Sequence, residues 1–172
     1  MRLHSRRRAP LWFGPAPGNP PVNRFDDPKG KFRTCYLGAS AEACFAETFL
    51  REPPVRVLDL ADLGKRALAT IEVRRDLRMV PLHGPALARL GATAEAGSGS
   101  AYAFSRRWSR ALWSHRDEPD GIAHRARHDD SAFCFVLYDR ARDYIAVTSE
   151  RPLTEDLDLL AQLLKRYGLG LE

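Results

Sequence analysis

Three side chains in the first third of the chain have the chemistry needed to break a glycosidic bond. Arg24, Tyr36 and Glu47 supply a guanidinium, a phenol and a carboxylate within 24 residues. A guanidinium holds phosphate, a phenol ring packs on a flat ring, and a carboxylate stabilises a developing cation. Together, these groups would suit cleavage of an N-glycosidic bond in a dinucleotide.

The carboxylate of Glu47 lies in a segment that the sequence predicts to be a helix over residues 41–52, with Ser40 as its N-cap. The helix is apolar almost all the way round, so we expect it to be largely buried. Glu47 shares a face with Ala43 and Cys44, where a carboxylate is costly unless it is paired, protonated or used. Two interpretations stay open: a buried Glu that caps a loop or pairs with an Arg, and a site residue.

The other two side chains are weaker signals when taken singly. Arg24 lies in the turn-rich segment 23–30, where an Arg is usually solvated. Tyr36 lies in a predicted strand over residues 32–37, where a Tyr more often packs in the core with its hydroxyl reaching solvent. Only the combination with Glu47 favours a site.

The segments that carry this combination resemble a known family, the RES domain, whose members are toxins of a bacterial toxin–antitoxin class. The family is named for an Arg, a Glu and a Ser. The matching segments are Asn23-Arg24-Phe25, 35–40 and 43–48, and a second block at 120–128 and 133–139. The resemblance spans the chain from about Arg2 to about Val147.

The resemblance implies an α+β fold with a split, mostly antiparallel sheet and flanking helices, as in the ADP-ribosyltransferase toxins, with NAD+ in the cleft. Arg24 would hold the NAD+ pyrophosphate bidentately. Tyr36 would pack against the nicotinamide or its ribose, and Glu47 would accept the ribose 2′-hydroxyl and stabilise the oxocarbenium-like transition state. Arg2 would match a further family Arg near the start of the domain, and Arg127 would sit at the cleft edge.

The implied activity is cleavage of the nicotinamide–ribose bond of NAD+, a co-substrate, with transfer of ADP-ribose to a target protein, to phosphate or to water. No metal is implied. The implied partner is a cognate antitoxin that carries a DNA-binding helix-turn-helix and inserts a segment into the cleft. A cellular protein is an additional candidate acceptor. The chain shows no Gly-rich phosphate loop of the Rossmann or P-loop kind, so Arg side chains and backbone turns would have to hold the dinucleotide.

One departure from the family pattern concerns the second block. The family Ser falls at Ala126, and His124 stands where an aromatic residue is expected. Ser131 follows five residues later, but a shift of that size should aim its hydroxyl elsewhere. Either the Ser is dispensable here, or the chain has altered activity.

Length and composition are compatible with one domain over residues 1–172. No apolar run approaches the roughly 20 residues that a transmembrane helix needs, and the basic N-terminus lacks the apolar stretch of a signal peptide. The three cysteines, Cys35, Cys44 and Cys134, lie in apolar segments without metal-site spacing. We therefore expect reduced core thiols in a cytoplasmic protein that does not engage membranes.

The net charge is +5, and only four of the 27 basic residues are Lys. A GC-rich genome would explain the Arg excess, and so would attraction to a diphosphate ligand or an acidic partner. The family activity implies no direct contact with nucleic acid. Two other classes of protein remain open beside it. One is a basic nucleic-acid-binding module, and the other is a catalytically weakened RES-like binding protein.

The remaining elements follow from periodicity and breakers. A helix is predicted over 101–115, with Ser100 as its N-cap and Arg106, Arg107 and Arg110 on its solvent-exposed face. The small-residue segment 91–99 before it would be a lid or a plain connection. Its expected buried residues are Ala101, Phe104, Trp108, Ala111 and Leu112. Strands are predicted at 55–60, after the break at Pro53-Pro54, and at 69–74, 121–125, 132–138 and 144–148. Further helices are predicted at 85–90 and 154–167, the latter with Leu157, Leu160, Leu164 and Tyr167 inward and Gly168 as C-cap.

Overall fold

The structure of the protein is a computed structural model that describes residues 1–16, 18–51 and 56–172. The strands are β1 (Arg2–Ser5), β2 (Thr34–Gly38), β3 (Val57–Leu58), β4 (Arg66–Val73), β5 (Met79–Pro81), β6 (Gly121–Ala126), β7 (Asp129–Tyr138), β8 (Ile145–Pro152) and β9 (Gly170–Leu171). The helices are α1 (Ala41–Phe49), α2 (Leu60–Gly64), α3 (Pro85–Leu90), α4 (Glu95–Ser98), α5 (Tyr102–Trp113) and α6 (Leu157–Tyr167), with 3₁₀ turns at Asp139–Tyr144 and Leu153–Glu155.

The described strands form two main sheets and a short pair. One sheet has the order β1-β4-β8 and is antiparallel throughout, and the other has the order β2-β7-β6-β5, in which only β5 and β6 run parallel. Strands β3 and β9 form a parallel pair. The predicted α+β class, with a split, mostly antiparallel sheet and flanking helices, is confirmed.

Helix α1 begins where the sequence predicts and packs tightly on the end of β2. The Ser40 hydroxyl caps the helix by accepting the Ala43 N–H at 3.3 Å. A Cβ at Gly38 would lie 2.7 Å from the Cys44 Sγ, closer than real Cβ atoms come, so a glycine is needed at this contact. The helix ends at Phe49 with Leu50 as its C-cap, so the predicted extension was wrong at Leu50 and Arg51, while Glu52 lies outside the described residues.

Helix α5 lies within its predicted bounds, and Phe104, Trp108 and Leu112 of its predicted buried stripe pack on the core. It has Ala101 as N-cap with no side-chain cap, and Ser100 does not cap it. Ala101 and Ala111 are exposed, whereas Ser105 and Ser109 are fully buried. The predicted stripe was therefore wrong at both alanines, because two serines that look polar in the periodicity lie on the buried face.

The C-terminal helix α6 also differs from its prediction at its start. Leu157, predicted to point inward, is 70 % exposed, while Leu160 and Leu163 pack in the core with Phe45. Thr154 belongs to the preceding 3₁₀ turn. Gly168 ends the helix in the left-handed conformation at φ 63°, as predicted for a C-cap.

Several other element boundaries differ from their predictions. The strand predicted over 55–60 is reduced to β3, because Asp59 caps α2 instead of continuing the strand. The break predicted at Pro53-Pro54, and Val55 with it, lie outside the described residues. The segment 91–99 was predicted to be loop but contains α4, whose Ala96 and Gly97 are buried. Strands β1, β5 and β9 were not predicted.

Three properties bear on the class of protein. No helix in the described parts of the chain has the length and apolar character to cross a membrane. Among the described residues, no group of three or more His, Cys, Asp or Glu side chains could hold a metal ion. Cys35, Cys44 and Cys134 are free and buried, as the sequence predicts.

Candidate active site

A cavity of about 280 Å³ opens between the two main sheets and α1. Its wall includes one carboxylate, Glu47, together with the phenol of Tyr36 and the imidazole of His124. Its cationic wall residues are Arg2, Arg8, Arg51 and Arg66. Because four cations face one anion among the wall residues that the structure describes, the cavity favours an anionic ligand.

Glu47 caps a loop, as one of the two interpretations left open by the sequence predicts, and its role as a site residue stays a prediction. It is half-buried on α1, and its Oε1 accepts the backbone N–H of Arg127 at 2.8 Å in the turn between β6 and β7. In the part of the chain that the structure describes, no group bonds the second carboxylate oxygen. The carboxylate therefore caps a loop with one oxygen and has the other free for a ligand.

The Tyr36 side chain is held through its hydroxyl. A core Tyr was expected to extend its hydroxyl to solvent, but this hydroxyl bonds other groups of the protein instead. The hydroxyl accepts the Phe25 N–H at 2.8 Å and donates to the Asp26 Oδ1 at 3.0 Å. Burial, together with the adjacent Asp26 carboxylate, raises the pKa of the Tyr36 phenol well above its ordinary value. The side chain therefore stays neutral, and its ring is fixed at the cavity wall.

Asp26 connects Tyr36 to the loop that carries Arg24. Its Oδ1 also accepts the Thr34 hydroxyl at 2.6 Å, and its Oδ2 accepts the backbone N–H groups of Val22 and Asn23 at 3.0 and 2.7 Å. The carboxylate is buried and has four donors from loop and strand. Sequence reasoning missed this residue, because a single Asp in a turn-rich segment carries no signal of its distant partners.

Helix α5 holds the same loop from the other side. The Ser109 hydroxyl donates to the Phe25 carbonyl at 2.8 Å, Arg106 donates to the Asn23 and Pro21 carbonyls at 3.2 Å each, and Arg110 pairs with the buried Asp27. Arg106 and Arg110 were predicted to lie on the solvent-exposed face of the helix, and this prediction was wrong. Arg106 fixes the backbone before Arg24, and Arg110 holds the Asp27 side chain after it.

Arg24 itself lies behind the cavity wall. It is only 7 % exposed, and its guanidinium donates to the Gly97 carbonyl of α4 and lies 5.7 Å from the Tyr102 ring. Its buried Nε has no hydrogen-bond partner among the described residues. Its neighbour Asn23 lines the cavity, whereas Arg24 does not. A contact from Arg24 to a pyrophosphate stays a prediction, and it requires the side chain to release Gly97.

The two further arginines that the resemblance implies occupy different positions. Arg2 lines the cavity, and its Nη1 donates to the Pro10 and Trp12 carbonyls at 2.8 and 2.9 Å. Arg127 is exposed and contributes its backbone N–H to Glu47, while its side chain is not part of the cavity wall. Ligand binding by either side chain stays a prediction.

His124 is a cavity residue that the sequence marked only as a departure. It is 3 % exposed, its Nδ1 lies 2.9 Å from the Arg125 carbonyl, and its ring packs on Phe25. Burial lowers the pKa of His124 from 6.5 to about 4, although Glu47 on α1 opposes the shift, and Arg24 and His83 add to it. The imidazole is therefore neutral at physiological pH.

This neutral imidazole should make stability depend on pH between 6.5 and about 4. Above pH 6.5 the folded and unfolded states both hold neutral His124. Below it the unfolded state takes up the proton first, so the free energy of unfolding should fall by roughly 3 kcal/mol by pH 4. Urea unfolding at several pH values, with His124→Gln, checks this. The variant should lose that part of the slope, whereas His115→Gln, at an exposed position, should keep it.

Ala126 lies directly behind the cavity wall. It is 1 % exposed and packs with Ala43, Ala132 and Cys134 in an apolar cluster. Ser131 is exposed, its hydroxyl donates to Asp129, and it is not part of the cavity wall. Ser131 therefore does not replace the family hydroxyl.

Ala126→Ser should cost about 1–2 kcal/mol of stability, because the new hydroxyl enters an apolar cluster, and should not increase turnover. Thermal unfolding and a rate measurement on the same preparation check both expectations. A large gain in rate would contradict the second and show that the chain is weakened by its alanine.

Comparisons with known proteins identify the family and the fold of the chain. A probable toxin, y4kH of Sinorhizobium fredii (strain NBRC 101917 / NGR234), is 30 % identical over 112 residues, which are 65 % of this chain and 87 % of that protein. The crystal structure of the M. tuberculosis MbcT-MbcA toxin-antitoxin complex contains a chain with the same fold, at a TM-score of 0.67 and 20 % identity, covering 93 % of this chain and 87 % of that one. The profile of the RES domain matches residues 1–159. This protein belongs to the RES domain family.

Proposed function

We propose that this protein is the toxin of a bacterial toxin–antitoxin pair that cleaves the nicotinamide–ribose bond of NAD+ and transfers ADP-ribose to a protein, to phosphate or to water. The observation that carries the proposal is the cavity wall, where the free oxygen of Glu47 and the fixed ring of Tyr36 lie among four arginines. Membership of the RES domain family, and a fold shared with a chain of a toxin-antitoxin complex, support the proposal.

The residues divide the work by charge. Three arginines of the wall, Arg2, Arg51 and Arg66, neutralise the diphosphate, and a planar guanidinium does so bidentately. Tyr36, held by Asp26, offers its ring to the nicotinamide or ribose. Because its hydroxyl proton is already donated and its pKa is raised, it acts as a platform, not as an acid.

Glu47 acts on the bond that breaks. As the bond between the ribose carbon and the nicotinamide nitrogen lengthens, its electron pair leaves with nicotinamide and positive charge develops on the ribose. The free carboxylate oxygen accepts the 2′-hydroxyl and stabilises this charge more in the transition state than in the ground state. The acceptor then forms the new bond to the same carbon and releases its proton to water.

The alternative of a nucleic-acid-binding module has less support. Several arginines that raise the net charge hold the chain together: Arg75 is bidentate to Asp120, Arg140 donates to the Trp113 carbonyl, and Arg106 and Arg110 hold the loop. These guanidiniums are therefore not free to bind the phosphates of a DNA or RNA backbone.

Nicotinamide release from NAD+ by the purified protein tests the proposal. Release that needs a bacterial lysate identifies a protein acceptor, and release that phosphate accelerates identifies a phosphorylase. No release under any condition, together with binding of NAD+, would favour the weakened binding protein. Salt-sensitive DNA or RNA binding without release would favour the nucleic-acid module.

The proposed partner is an antitoxin with a DNA-binding helix-turn-helix that fills the cavity, and the proposed location is the cytoplasm. The cationic wall suits an acidic inhibitory segment. Coexpression with the neighbouring gene product should abolish nicotinamide release.

A further inference from the structure

The segment after β1 places an aromatic ring and a guanidinium on the cavity wall that the proposed bond cleavage does not use. Arg8 and Trp12 both line the cavity that contains Glu47, and the Arg8 guanidinium carbon lies 4.5 Å from the Trp12 ring centroid. Arg8 is exposed and has no side-chain hydrogen bond or ion pair to any described residue. Its guanidinium donors are therefore available to a ligand.

The position of Trp12 is fixed by its backbone. Arg2 donates to the Trp12 carbonyl at 2.9 Å and also contacts the Cys35 Sγ at 3.0 Å, which ties the segment to β2. The next residue, Phe13, is buried in the core. Both contacts anchor the main chain and leave the indole half-buried at the cavity wall.

The Arg8 guanidinium lies over one face of the Trp12 indole, so a purine would stack on the opposite face. A base stacks on an aromatic ring, and a guanidinium adds a cation–π contact and hydrogen bonds to the base edge. NAD+ contains two flat rings. Nicotinamide is the ring that must reach Glu47, so adenine is the ring left for a second aromatic residue on the same wall.

We propose that Trp12 and Arg8 form a purine subsite that binds the adenylate part of the ligand. The inference rests on the proposed function, because the ligand it assumes is the NAD+ of that reaction. It adds a specificity determinant: nucleotides with a purine base are bound more tightly than ribose phosphates without one.

Titration calorimetry with ligands that cannot be cleaved tests this subsite independently of turnover. ADP-ribose and ribose 5-phosphate differ by the adenylate, and AMP supplies the adenylate alone. Trp12→Ala should weaken ADP-ribose binding roughly 5- to 150-fold, the range for loss of one stacked base, and should leave ribose 5-phosphate unchanged. Trp12→Phe should restore most of the affinity.

Two further variants serve as controls. Arg8→Ala removes the guanidinium without touching the buried segment, and should weaken AMP and ADP-ribose binding even if Trp12→Ala fails to fold. Tyr144→Ala removes a matched ring, since Arg75 stacks 3.9 Å from Tyr144 outside the cavity, and should change neither affinity.

The outcomes separate this inference from the proposed function. Equal ADP-ribose affinity in the wild-type protein, Trp12→Ala and Arg8→Ala, with nicotinamide release intact, would overturn the subsite and leave the function standing. AMP binding that both variants lose, without nicotinamide release by the wild-type protein, would retain the subsite and overturn the cleavage. A wild-type protein that binds neither AMP nor ADP-ribose would overturn the subsite.

Discussion

Glu47→Gln should lower the turnover number for nicotinamide release at least 100-fold, the scale on which enzymes lose rate when one preorganised electrostatic group is removed. The amide cannot balance the positive charge that develops on the ribose. It can still accept the Arg127 N–H through its oxygen, so the turn between β6 and β7 keeps its cap. The melting temperature should therefore change by no more than about 4 °C.

A matched control comes from the same helix. Glu42 lies one and a half turns earlier in α1 and does not line the cavity, so Glu42→Gln should leave turnover within a factor of about three. NAD+ affinity is measured alongside, because a carboxylate that acts mainly in the transition state leaves ground-state binding almost unchanged. Full turnover in Glu47→Gln would mean that the carboxylate only caps the turn.

Asp26→Ala should lower the free energy of unfolding by about 3–5 kcal/mol, because four donors lose a buried acceptor at once. Turnover should fall more than about tenfold at a temperature where the variant is still folded, since Tyr36 and the Arg24 loop lose their shared anchor. Urea unfolding and the rate of nicotinamide release check the two expectations.

Asp26→Asn separates stability from positioning. The amide oxygen can accept the N–H groups of Val22 and Asn23, while the amide N–H groups donate to the hydroxyls of Thr34 and Tyr36. Most of the stability should return. The Tyr36 hydroxyl, however, would accept a hydrogen bond from residue 26 instead of donating one, so the ring is held in a different way. Asp59→Ala, which removes the exposed N-cap of α2, is the control and should cost about 1 kcal/mol without a rate effect.

A double-mutant cycle with Tyr36→Phe distinguishes positioning from general destabilisation. If Asp26 acts through Tyr36, the rate losses of Asp26→Asn and Tyr36→Phe should be strongly non-additive. Additive losses would contradict a positioning role and leave Asp26 as a structural residue of the loop.

Local signals predicted the element that carries Glu47. The Ser40 cap, the apolar helix and the glycine at the end of β2 act within a few residues, and the structure confirms the cap and the burial of the helix. Periodicity likewise placed α3 and the Gly168 cap of α6.

The frame around Tyr36 and Arg24 could not be predicted in the same way. Its contacts join Asp26 to β2 and the loop to α5, and the partners are polar side chains that a periodicity analysis assigns to solvent. Ser109 is fully buried, and its hydroxyl donates to the Phe25 carbonyl. Sequence spacing contains no record of such pairs when they are 80 or more residues apart.

The bonds from α5 to the loop have a consequence for synthesis of the protein. The loop at residues 21–27 leaves the ribosome early, but the donors on α5 that bond its carbonyls and the Asp27 carboxylate follow 83 to 85 residues later. Domains emerge from the amino-terminal end first. A partly synthesised chain therefore contains Arg24, Tyr36 and Glu47 without the helix that holds the loop, and the loop is expected to take up its final position only after α5 has been translated.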